Sequence, residues 1–253
     1  MRAPVDTIVA PLFPTRGPWV NVAGAQASII QRGRPMLVEF WDFCRPNSLR
    51  TLPYVKAWHE RYEADGLRTI GVHCPGFEPS RQEQAVRAAV ARLGIAYPVL
   101  IDSGLEVWRD YENAGWPARY LFDGHARLFD YHYGEGAYAE TELAIQELLN
   151  LEREPLAPLR AEDAPDARLL APTEDQPGAY RGPYEAGGVW AVLDGAGTAL
   201  VNGGTAAGGV ELAVAHPGAY PLMEHERHTA GVLDLELGAG VRCHATCFTP
   251  GLA

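Results

Sequence analysis

The sequence predicts an α/β domain with a mixed sheet and helices on both faces, followed by a small all-β sandwich or jelly-roll domain. Strand and helix patterns alternate through residues 1–153, which is the order typical of α/β folds. Residues 186–253 instead contain short apolar segments between Gly- and Pro-rich turns, as in antiparallel sandwiches. The change is also compositional, because 15 of the 27 glycines lie in residues 156–253.

The first domain is expected to begin with a buried parallel strand over Pro35–Trp41, because these residues form a short apolar run. A helix follows from Pro46, since proline suits the first helical turn, and it ends at Asp65-Gly66. The remaining elements are expected as a strand at Leu67–His73, a helix at Arg81–Leu93, a strand at Tyr97–Ile101, a hairpin of Arg119–Phe122 and Leu128–Tyr133, and a helix at Ala139–Glu152.

Glu154–Glu185 is predicted to be a linker, because it is rich in Pro, Ala and acidic residues and has no sustained periodicity. A short helix is expected within it near Ala167–Ala171. The second domain is expected to contain six strands: Val189–Leu193, Ala199–Val201, Gly209–Ala215, Ala219–Leu222, Val232–Leu237 and Arg242–Thr249.

The composition limits the kinds of partner and location. The chain has 253 residues, of which 47% are hydrophobic and 21% charged, as in globular proteins. Its net charge of −11 argues against nucleic acid or an anionic membrane surface as a partner. No apolar run approaches the ~20 residues that cross a bilayer, and Met1–Thr15 lacks a signal-peptide pattern. We therefore expect a cytoplasmic protein. Four cysteines are too few for a disulfide framework.

Several motifs occur in the order found in one family. They are Phe40-Trp41, Leu49-Arg50-Thr51-Leu52-Pro53-Tyr54, Gly71-Val72-His73-Cys74-Pro75-Gly76-Phe77, Trp116-Pro117-Ala118-Arg119-Tyr120-Leu121 and Gly134-Glu135-Gly136. Over roughly residues 11–152 the chain resembles the TlpA/DipZ-like thiol–disulfide oxidoreductases, or redoxins, of the thioredoxin superfamily. The resemblance implies a thioredoxin-like fold, thiol redox function and a cis peptide bond before Pro117. The C-terminal half resembles the carbohydrate-binding-module-like domain of DipZ-type proteins.

The C-x-x-C motif of that family is not kept. When the chain is aligned on Phe40-Trp41 and Leu49-Arg50-Thr51, the two redox cysteines of the family fall on Arg45 and Ser48. One cysteine, Cys44, stands one place earlier. A dithiol centre works because one thiolate attacks and the second resolves the mixed disulfide, and the turn after Cys44 offers no second thiol.

Cys74 is the candidate resolving partner for Cys44, because both follow predicted parallel strands whose ends lie at one edge of the sheet. A bridge would require their Cα atoms to lie within about 7 Å. The alternative is that each cysteine is a small packed residue in its loop and that neither thiol reacts. Cys44 would stand just before a helix N-terminus, which together with the adjacent Arg45 favours a thiolate.

Glu39 resembles the buried acid of thioredoxin, which implies a proton acceptor beneath the active site. The alternative is a salt bridge to a nearby Arg, since an unpaired buried carboxylate is costly. The candidate catalytic residues are thus Cys44, Cys74 and Glu39. The resemblance implies these substrate-binding residues: Trp41, Arg45, Ser48, Trp116 and Pro117.

Other clusters predict no site. His59 and His73 lack paired metal-ligand spacing, so neither a metal nor a cofactor is expected. Cys243 and Cys247 are four residues apart on a predicted strand, so we expect them to share a face about 13 Å apart and to pack in the core. His225 and His228 are expected in a solvated turn. Few aromatic residues are available for a sugar site: Tyr184, Trp190 and Tyr220.

Three functional hypotheses follow. The first is a thiol-redox enzyme that uses Cys44 to reduce or exchange disulfides with a disulfide-containing protein or a small thiol. The second is a one-cysteine peroxidase in which Cys44 becomes a sulfenic acid; it ranks lower because the P-x-x-x-T-x-x-C pattern of peroxiredoxins is absent. The third is a redox-inactive binding module. The sequence leaves the oligomeric state open, a homodimer included.

Overall fold

A computed structural model describes residues 8–22, 31, 33–203 and 209–253 of the chain. It divides into two compact units, one of Met1–Asp42 with Asn47–Ala157 and the other of Phe43–Pro46 with Pro158–Ala253. Most of the segment predicted to be a linker therefore groups with the second unit.

The first unit contains a six-stranded mixed sheet in which β2 and β3 are central. Its strands, in spatial order, are β1 (Trp19–Val20), β4 (Val99–Ile101), β3 (Arg68–His73), β2 (Met36–Trp41), β5 (Ala118–Phe122) and β6 (Leu128–Tyr133). Strands β2, β3 and β4 run parallel, whereas β1, β5 and β6 pair antiparallel with their neighbours. The predicted α/β class with a mixed sheet is confirmed.

Three of the four helices described in this unit were predicted, and the short third helix was not. The four are α1 (Pro46–Tyr62), α2 (Glu83–Arg92), α3 (Glu106–Asp110) and α4 (Tyr138–Leu149). Helix α2 begins later than the predicted Arg81, because Glu78–Arg81 forms a 3-10 turn. The backbone N–H of Ser80 closes this turn by donating to the carbonyl oxygen of Phe77 at 3.2 Å.

The two faces of β2 have different chemistry. All six of its residues are buried, and successive side chains point to opposite sides. Phe40 packs on one side against Tyr111 and Tyr120, with ring centroids 5.3 and 5.6 Å apart. Glu39 points to the other side, together with its register partner Arg119 on β5. The sheet thus separates an aromatic core from a layer that contains buried charge.

The second unit is all-β, as predicted. Its larger sheet is antiparallel and consists, in spatial order, of β11 (Val210–Val214), β10 (Gly197–Gly203), β12 (Gly218–Leu237), β9 (Arg181–Gly195), β13 (Val241–Thr249) and β8 (Gln176–Pro177). A two-stranded sheet pairs β7 (Leu169–Leu170) with β14 (Gly251–Leu252). The sandwich or jelly-roll arrangement stays a prediction.

Two local predictions for this unit are wrong. The expected helix near Ala167–Ala171 is instead strand β7, because Leu169 and Leu170 find backbone partners at the far end of the chain. The expected strands Ala219–Leu222 and Val232–Leu237 are parts of one strand, β12, which pairs with β9 across two irregularities.

The histidines between those segments do not form a solvated turn. His225 and His228 both lie within β12. The Nε2 atom of His225 is 2.9 Å from the hydroxyl of Tyr184, and His228 Nε2 is 3.8 Å from Glu185 Oε2. Their positions follow from the pairing of β12 with β9, which continues on both sides of this region.

The prediction that Cys243 and Cys247 share one face of their strand is also wrong. A register irregularity follows Cys243, so that Cys243 lies opposite Leu193 and Cys247 lies opposite Trp190. Since Leu193 and Trp190 are three residues apart on one strand, their side chains point to opposite faces. The two cysteines therefore do not share a face, because a bulge reverses the alternation. Burial raises the pKa of the Cys243 thiol to about 11.

Candidate functional site

Asp42 organises the turn between β2 and α1. It is fully buried, and its Oδ2 atom accepts hydrogen bonds from the backbone N–H of Gly76 at 2.7 Å and from the Ser80 hydroxyl at 3.1 Å. Its Oδ1 atom lies 3.5 Å from Nε2 of His73, the last residue of β3. Asp42 thus connects the ends of two neighbouring parallel strands. Sequence reasoning missed this residue, although a carboxylate directly after an apolar strand was a usable signal.

Ser48 has a structural contact within the same turn. Its side chain is fully buried, and its hydroxyl oxygen accepts a hydrogen bond from the backbone N–H of Asp42 at 3.2 Å. Arg45, at the other position of the expected dithiol, is half-buried. A hydroxyl and a guanidinium therefore occupy the two positions, and neither group can form or break a disulfide bond.

Cys44 and Cys74 are both fully buried and are not joined by a disulfide. The Cys74 thiol donates a hydrogen bond to Oδ2 of Asp102 with a sulfur–oxygen distance of 3.6 Å. Burial, and then the charge of Asp102, raise the pKa of Cys74 well above its usual range. The thiolate is the reactive form of cysteine, so Cys74 is a weak nucleophile in this environment.

Asp102 was a further residue that sequence reasoning missed. It follows β4 and is buried, and its two carboxylate oxygens accept hydrogen bonds from the backbone N–H groups of Glu106 and Trp108, each at 2.8 Å. A carboxylate at the N-terminal end of a helix satisfies donors that have no partner inside the helix. Asp102 therefore stabilises α3 and also contacts the Cys74 thiol.

The loop before β5 places Trp116 and Pro117 next to Cys74. The Trp116–Pro117 peptide bond is cis, as the resemblance implies. The indole N–H of Trp116 donates to the carbonyl oxygen of Cys74 at 2.9 Å, and its ring centroid lies 4.3 Å from that of Trp108. Trp116 is half-buried, whereas Pro117 is buried.

The structure separates the predicted substrate-binding residues by exposure. Trp41, Ser48 and Pro117 are buried, and only Arg45 and Trp116 of the five retain exposed surface. The Trp41 ring packs in the core with its centroid 5.1 Å from that of His73.

Glu39 is a buried acid, as the resemblance implies. It is fully buried, and its Oε2 atom accepts a hydrogen bond from the Tyr97 hydroxyl at 3.3 Å. Its Oε1 atom has no hydrogen-bond partner among the described residues. Burial raises the pKa of Glu39 to about 8, although the positive charge of Arg119 and the bond from Tyr97 act in the opposite direction. The Glu39 carboxyl group therefore keeps its proton at neutral pH and loses it at slightly higher pH.

Arg119 is the buried cation opposite Glu39. Its Nη2 atom donates to the carbonyl oxygen of Gly136, and its guanidinium carbon lies 5.7 Å from the ring centroid of Trp58 and 5.1 Å from that of Tyr138. Burial lowers its pKa from the usual value. Aromatic faces stabilise a cation, so these rings partly replace the water that Arg119 has lost. The sequence signal was an arginine inside an apolar predicted strand.

The described residues contain neither a metal-binding cluster nor a membrane-spanning helix. No group of three or more His, Cys, Asp or Glu side chains in residues 8–22, 31, 33–203 and 209–253 is placed to hold a metal ion. Across the same ranges, no helix is long and apolar enough to cross a membrane.

The three aromatic residues that the sequence offered for a sugar site are all packed inside the second unit. Tyr184, Trp190 and Tyr220 are all buried. The hydroxyl of Tyr220 donates to the carbonyl oxygen of His216 at 2.7 Å, and the ring of Tyr184 stacks on His225. These three residues therefore serve packing within the unit.

Comparison with known proteins finds relatives for the first unit. No family model matches the chain. It is 35% identical over 134 residues to protein DipZ of Mycobacterium bovis, a match that covers 52% of this chain and 19% of that protein. It is 24% identical over 131 residues to the thiol-disulfide oxidoreductase YkuV of Bacillus subtilis, covering 52% of this chain and 87% of YkuV. The matched part thus spans about a fifth of the length of the DipZ protein.

A plant protein and a solved structure show weaker similarity. The chain is 27% identical over 175 residues to the chloroplastic protein SUPPRESSOR OF QUENCHING 1 of Arabidopsis thaliana, covering 66% of this chain and 16% of that protein. The solution structure of a thioredoxin-like protein in the oxidized form has a TM-score of 0.49 at 24% identity, covering 57% of this chain and 98% of that one. This structural likeness is too weak to carry an argument by itself.

The sequence matches and the fold agree with the site geometry. The order of β2, α1 and β3, the buried acid Glu39 and the Trp116–Pro117 loop occupy the positions that the family motifs predict. The comparisons therefore support the resemblance of the first unit to the TlpA/DipZ-like redoxins of the thioredoxin superfamily, whose C-x-x-C motif this chain does not keep.

Proposed function

We propose that this protein is a redox-inactive thioredoxin-like protein that acts by binding a partner and does not exchange disulfides. The observation that carries this proposal is the chemistry of the two dithiol positions, where Arg45 and the buried Ser48 stand. Disulfide exchange through a dithiol needs one thiolate to attack and a second thiol to resolve the product. Neither of these two positions carries a sulfur atom.

The neighbouring cysteines do not replace the missing pair. Cys44 and Cys74 are fully buried, and the Cys74 thiol donates its proton to a hydrogen bond with Asp102. A thiol that reacts with substrate must be accessible and partly ionised. The raised pKa of Cys74 and the burial of both sulfurs oppose these requirements.

The second candidate is a redox enzyme with Cys44 as its single nucleophile. Glu39 favours this candidate, because its pKa of about 8 lies near neutral pH, as proton transfer beneath an active site requires. In such an enzyme the Cys44 thiolate would attack a substrate disulfide, form a mixed disulfide and release the other sulfur as a thiolate. A small thiol would then attack the mixed disulfide and regenerate Cys44. A location in the cytoplasm stays a prediction under either candidate.

Disulfide-reductase assays with matched variants separate the two candidates. We expect the natural chain to leave the reduction of insulin by dithiothreitol at its background rate. The double variant Arg45→Cys/Ser48→Cys, which restores the C-x-x-C spacing, is expected to accelerate the reaction. Catalysis by the natural chain that Cys44→Ser abolishes would overturn the proposal in favour of the single-thiol enzyme.

Thiol labelling provides the second readout. We expect iodoacetamide to modify Cys44 and Cys74 only after denaturation, because both sulfurs are buried. The modified peptides can be identified by mass spectrometry. Rapid labelling of Cys44 in the native protein below pH 7 would contradict the proposal. If that thiol also consumed hydrogen peroxide, the protein would be a one-cysteine peroxidase.

A further inference from the structure

The first unit has a concave surface that does not include the β2–α1 turn. This aromatic groove has a volume of about 560 Å³, which lies within the range of about 300–1,000 Å³ for small-molecule sites. Its walls include five aromatic side chains: Tyr111, Tyr120, Phe122, Tyr131 and Tyr133. None of the candidate catalytic or substrate-binding residues lines it, so the groove is separate from the candidate site.

The rings of the groove meet at steep angles. Tyr120 and Tyr133 have centroids 5.9 Å apart with an interplanar angle of 89°, and Tyr131 and Tyr133 have centroids 5.6 Å apart at 66°. Tyr111 and Phe122 are 6.0 Å apart at 84°. Tyr111, Tyr120 and Phe122 are buried, whereas Tyr133 is 44% exposed and Tyr131 is half-buried, so the last two present the accessible ring surface of the groove. Aromatic faces carry partial negative charge and attract cations, quaternary ammonium ions above all.

Two of the phenol hydroxyls are already used inside the protein. The Tyr120 hydroxyl donates to Oδ1 of Asn113 at 2.9 Å, and the Tyr111 hydroxyl donates to the carbonyl oxygen of Pro11 at 3.1 Å. These bonds hold the two rings in place. Because Tyr111 and Tyr120 are also buried, they support the groove wall, and a ligand would contact mainly Tyr131 and Tyr133.

The charged side chains that line the groove are both acidic. Asp110 and Glu112 line it and are both exposed, while its described lining contains no Lys, Arg or His. Exposed carboxylates at a concave surface concentrate cations and disfavour anions. Apolar ring walls combined with carboxylates suit a molecule that has both positive charge and apolar surface.

We propose that the aromatic groove binds a small organic ammonium ion with alkyl or aryl substituents. The rings of Tyr131 and Tyr133 contact the alkylated nitrogen, and Asp110 and Glu112 balance its charge. This binding requires no thiol, so it is independent of whether Cys44 is redox-active.

Titration with simple ammonium ions tests the proposal. The probe is benzyltrimethylammonium chloride added at constant ionic strength, with binding followed by NMR and by intrinsic fluorescence. We expect saturable binding, and we expect Tyr133→Leu and Glu112→Gln each to weaken it by roughly fivefold, as the loss of one cation–aromatic or charge contact implies. Glu140→Gln removes an exposed carboxylate of the same unit outside the groove and is expected to leave binding unchanged.

A neutral isostere distinguishes charge recognition from apolar burial. We expect choline to bind and 3,3-dimethylbutan-1-ol, which has the same shape without the charge, to bind at least about tenfold more weakly. Equal binding of the two compounds, unchanged binding by the Glu112→Gln variant, or no saturation would each overturn the proposal. Because Tyr133 is 44% exposed, its substitution should leave the fold intact, which circular dichroism checks. The variant Cys44→Ser should bind like the natural chain even if the proposed redox inactivity is wrong.

Discussion

Two buried glutamates in the first unit differ in the number of partners that surround them. Glu142 on α4 is 1% exposed, and its carboxylate accepts hydrogen bonds from the Trp58 indole at 3.2 Å, the Tyr62 hydroxyl at 2.6 Å and the Leu156 backbone at 2.8 Å. Arg61 adds an ion pair at 3.1 Å. Glu142 therefore joins α1, α4 and the segment after α4.

Glu39 on β2 is equally buried but has far fewer partners. Among the described residues, Tyr97 alone donates a hydrogen bond to it, at 3.3 Å. Its pKa rises to about 8 because burial outweighs the charge of Arg119 and the bond from Tyr97. The comparison teaches that burial alone does not decide the role of a carboxylate. A carboxylate with several donors is stabilised in its charged form, whereas burial with a single donor raises the pKa of the carboxyl group.

The largest expected effect is the loss of Glu142. We expect Glu142→Ala to lower the free energy of unfolding of the first unit by about 3–5 kcal/mol, because Trp58 and Tyr62 then have buried donors without their acceptor. Urea unfolding followed by tryptophan fluorescence measures this, since the first unit contains five of the six tryptophans. The control Glu140→Ala changes an exposed glutamate on the same helix and is expected to stay within about 0.5 kcal/mol. Equal effects of the two variants would contradict the role assigned to Glu142.

The next effect depends on pH and concerns Glu39. Its pKa is about 8 in the folded protein against an ordinary value of 4.5, so the unfolded chain loses this proton first as the pH rises. The native state is therefore destabilised progressively from pH 4.5 to about 8, with a slope of about 1.4 kcal/mol per pH unit. Glu39→Gln cannot ionise, so its stability relative to the natural chain should increase by about 3 kcal/mol between pH 5.5 and 8.

Urea unfolding at pH 5.5, 7 and 8.5 measures that difference. Glu140→Gln serves as the control, because the exposed Glu140 is expected to produce no comparable trend. Parallel stability curves for Glu39→Gln and the natural chain over this range would show that Glu39 ionises normally in the folded protein.

The smallest effects on the free energy of unfolding are expected when the tyrosine hydroxyl that donates to each glutamate is removed. Tyr62→Phe removes a 2.6 Å bond to Glu142 and should lower the free energy of unfolding by about 1.5–3 kcal/mol, since bonds to charged groups are strong. Tyr97→Phe removes the longer 3.3 Å bond to Glu39 and should cost about 0.5–1 kcal/mol. It should also move the pH dependence of stability to higher pH, because the lost bond favours the charged carboxylate. The reverse order of the two costs, measured by urea unfolding, would break the comparison.

Local patterns in the sequence predicted much of the fold. Leu128–Tyr133 and the start of α1 at Pro46 have the same bounds in the structure, because alternation and the helix-start preference of proline act over a few residues. The strand Leu169–Leu170 was missed, because its partner Gly251–Leu252 lies about 80 residues further along the chain. No local pattern contains that pairing.

The candidate site, too, was predicted only in part from the sequence. Its motifs predicted Glu39 as a buried acid and the cis bond before Pro117. The contact between Cys74 and Asp102 was not predicted, because it joins residues from the ends of two different strands. The aromatic groove was not predicted either, since its walls come from β5, β6, the end of α3 and the segment near Pro11.

The sequence by itself determined which atoms are available for chemistry at the β2–α1 turn. A guanidinium at Arg45 and a hydroxyl at Ser48 cannot form a disulfide in any conformation, because the limit is covalent. Only the tertiary structure decided the state of the groups that remain. The pKa values of Glu39 and Cys74 depend on how much water and how many hydrogen-bond partners surround them, and long-range packing of the chain sets both.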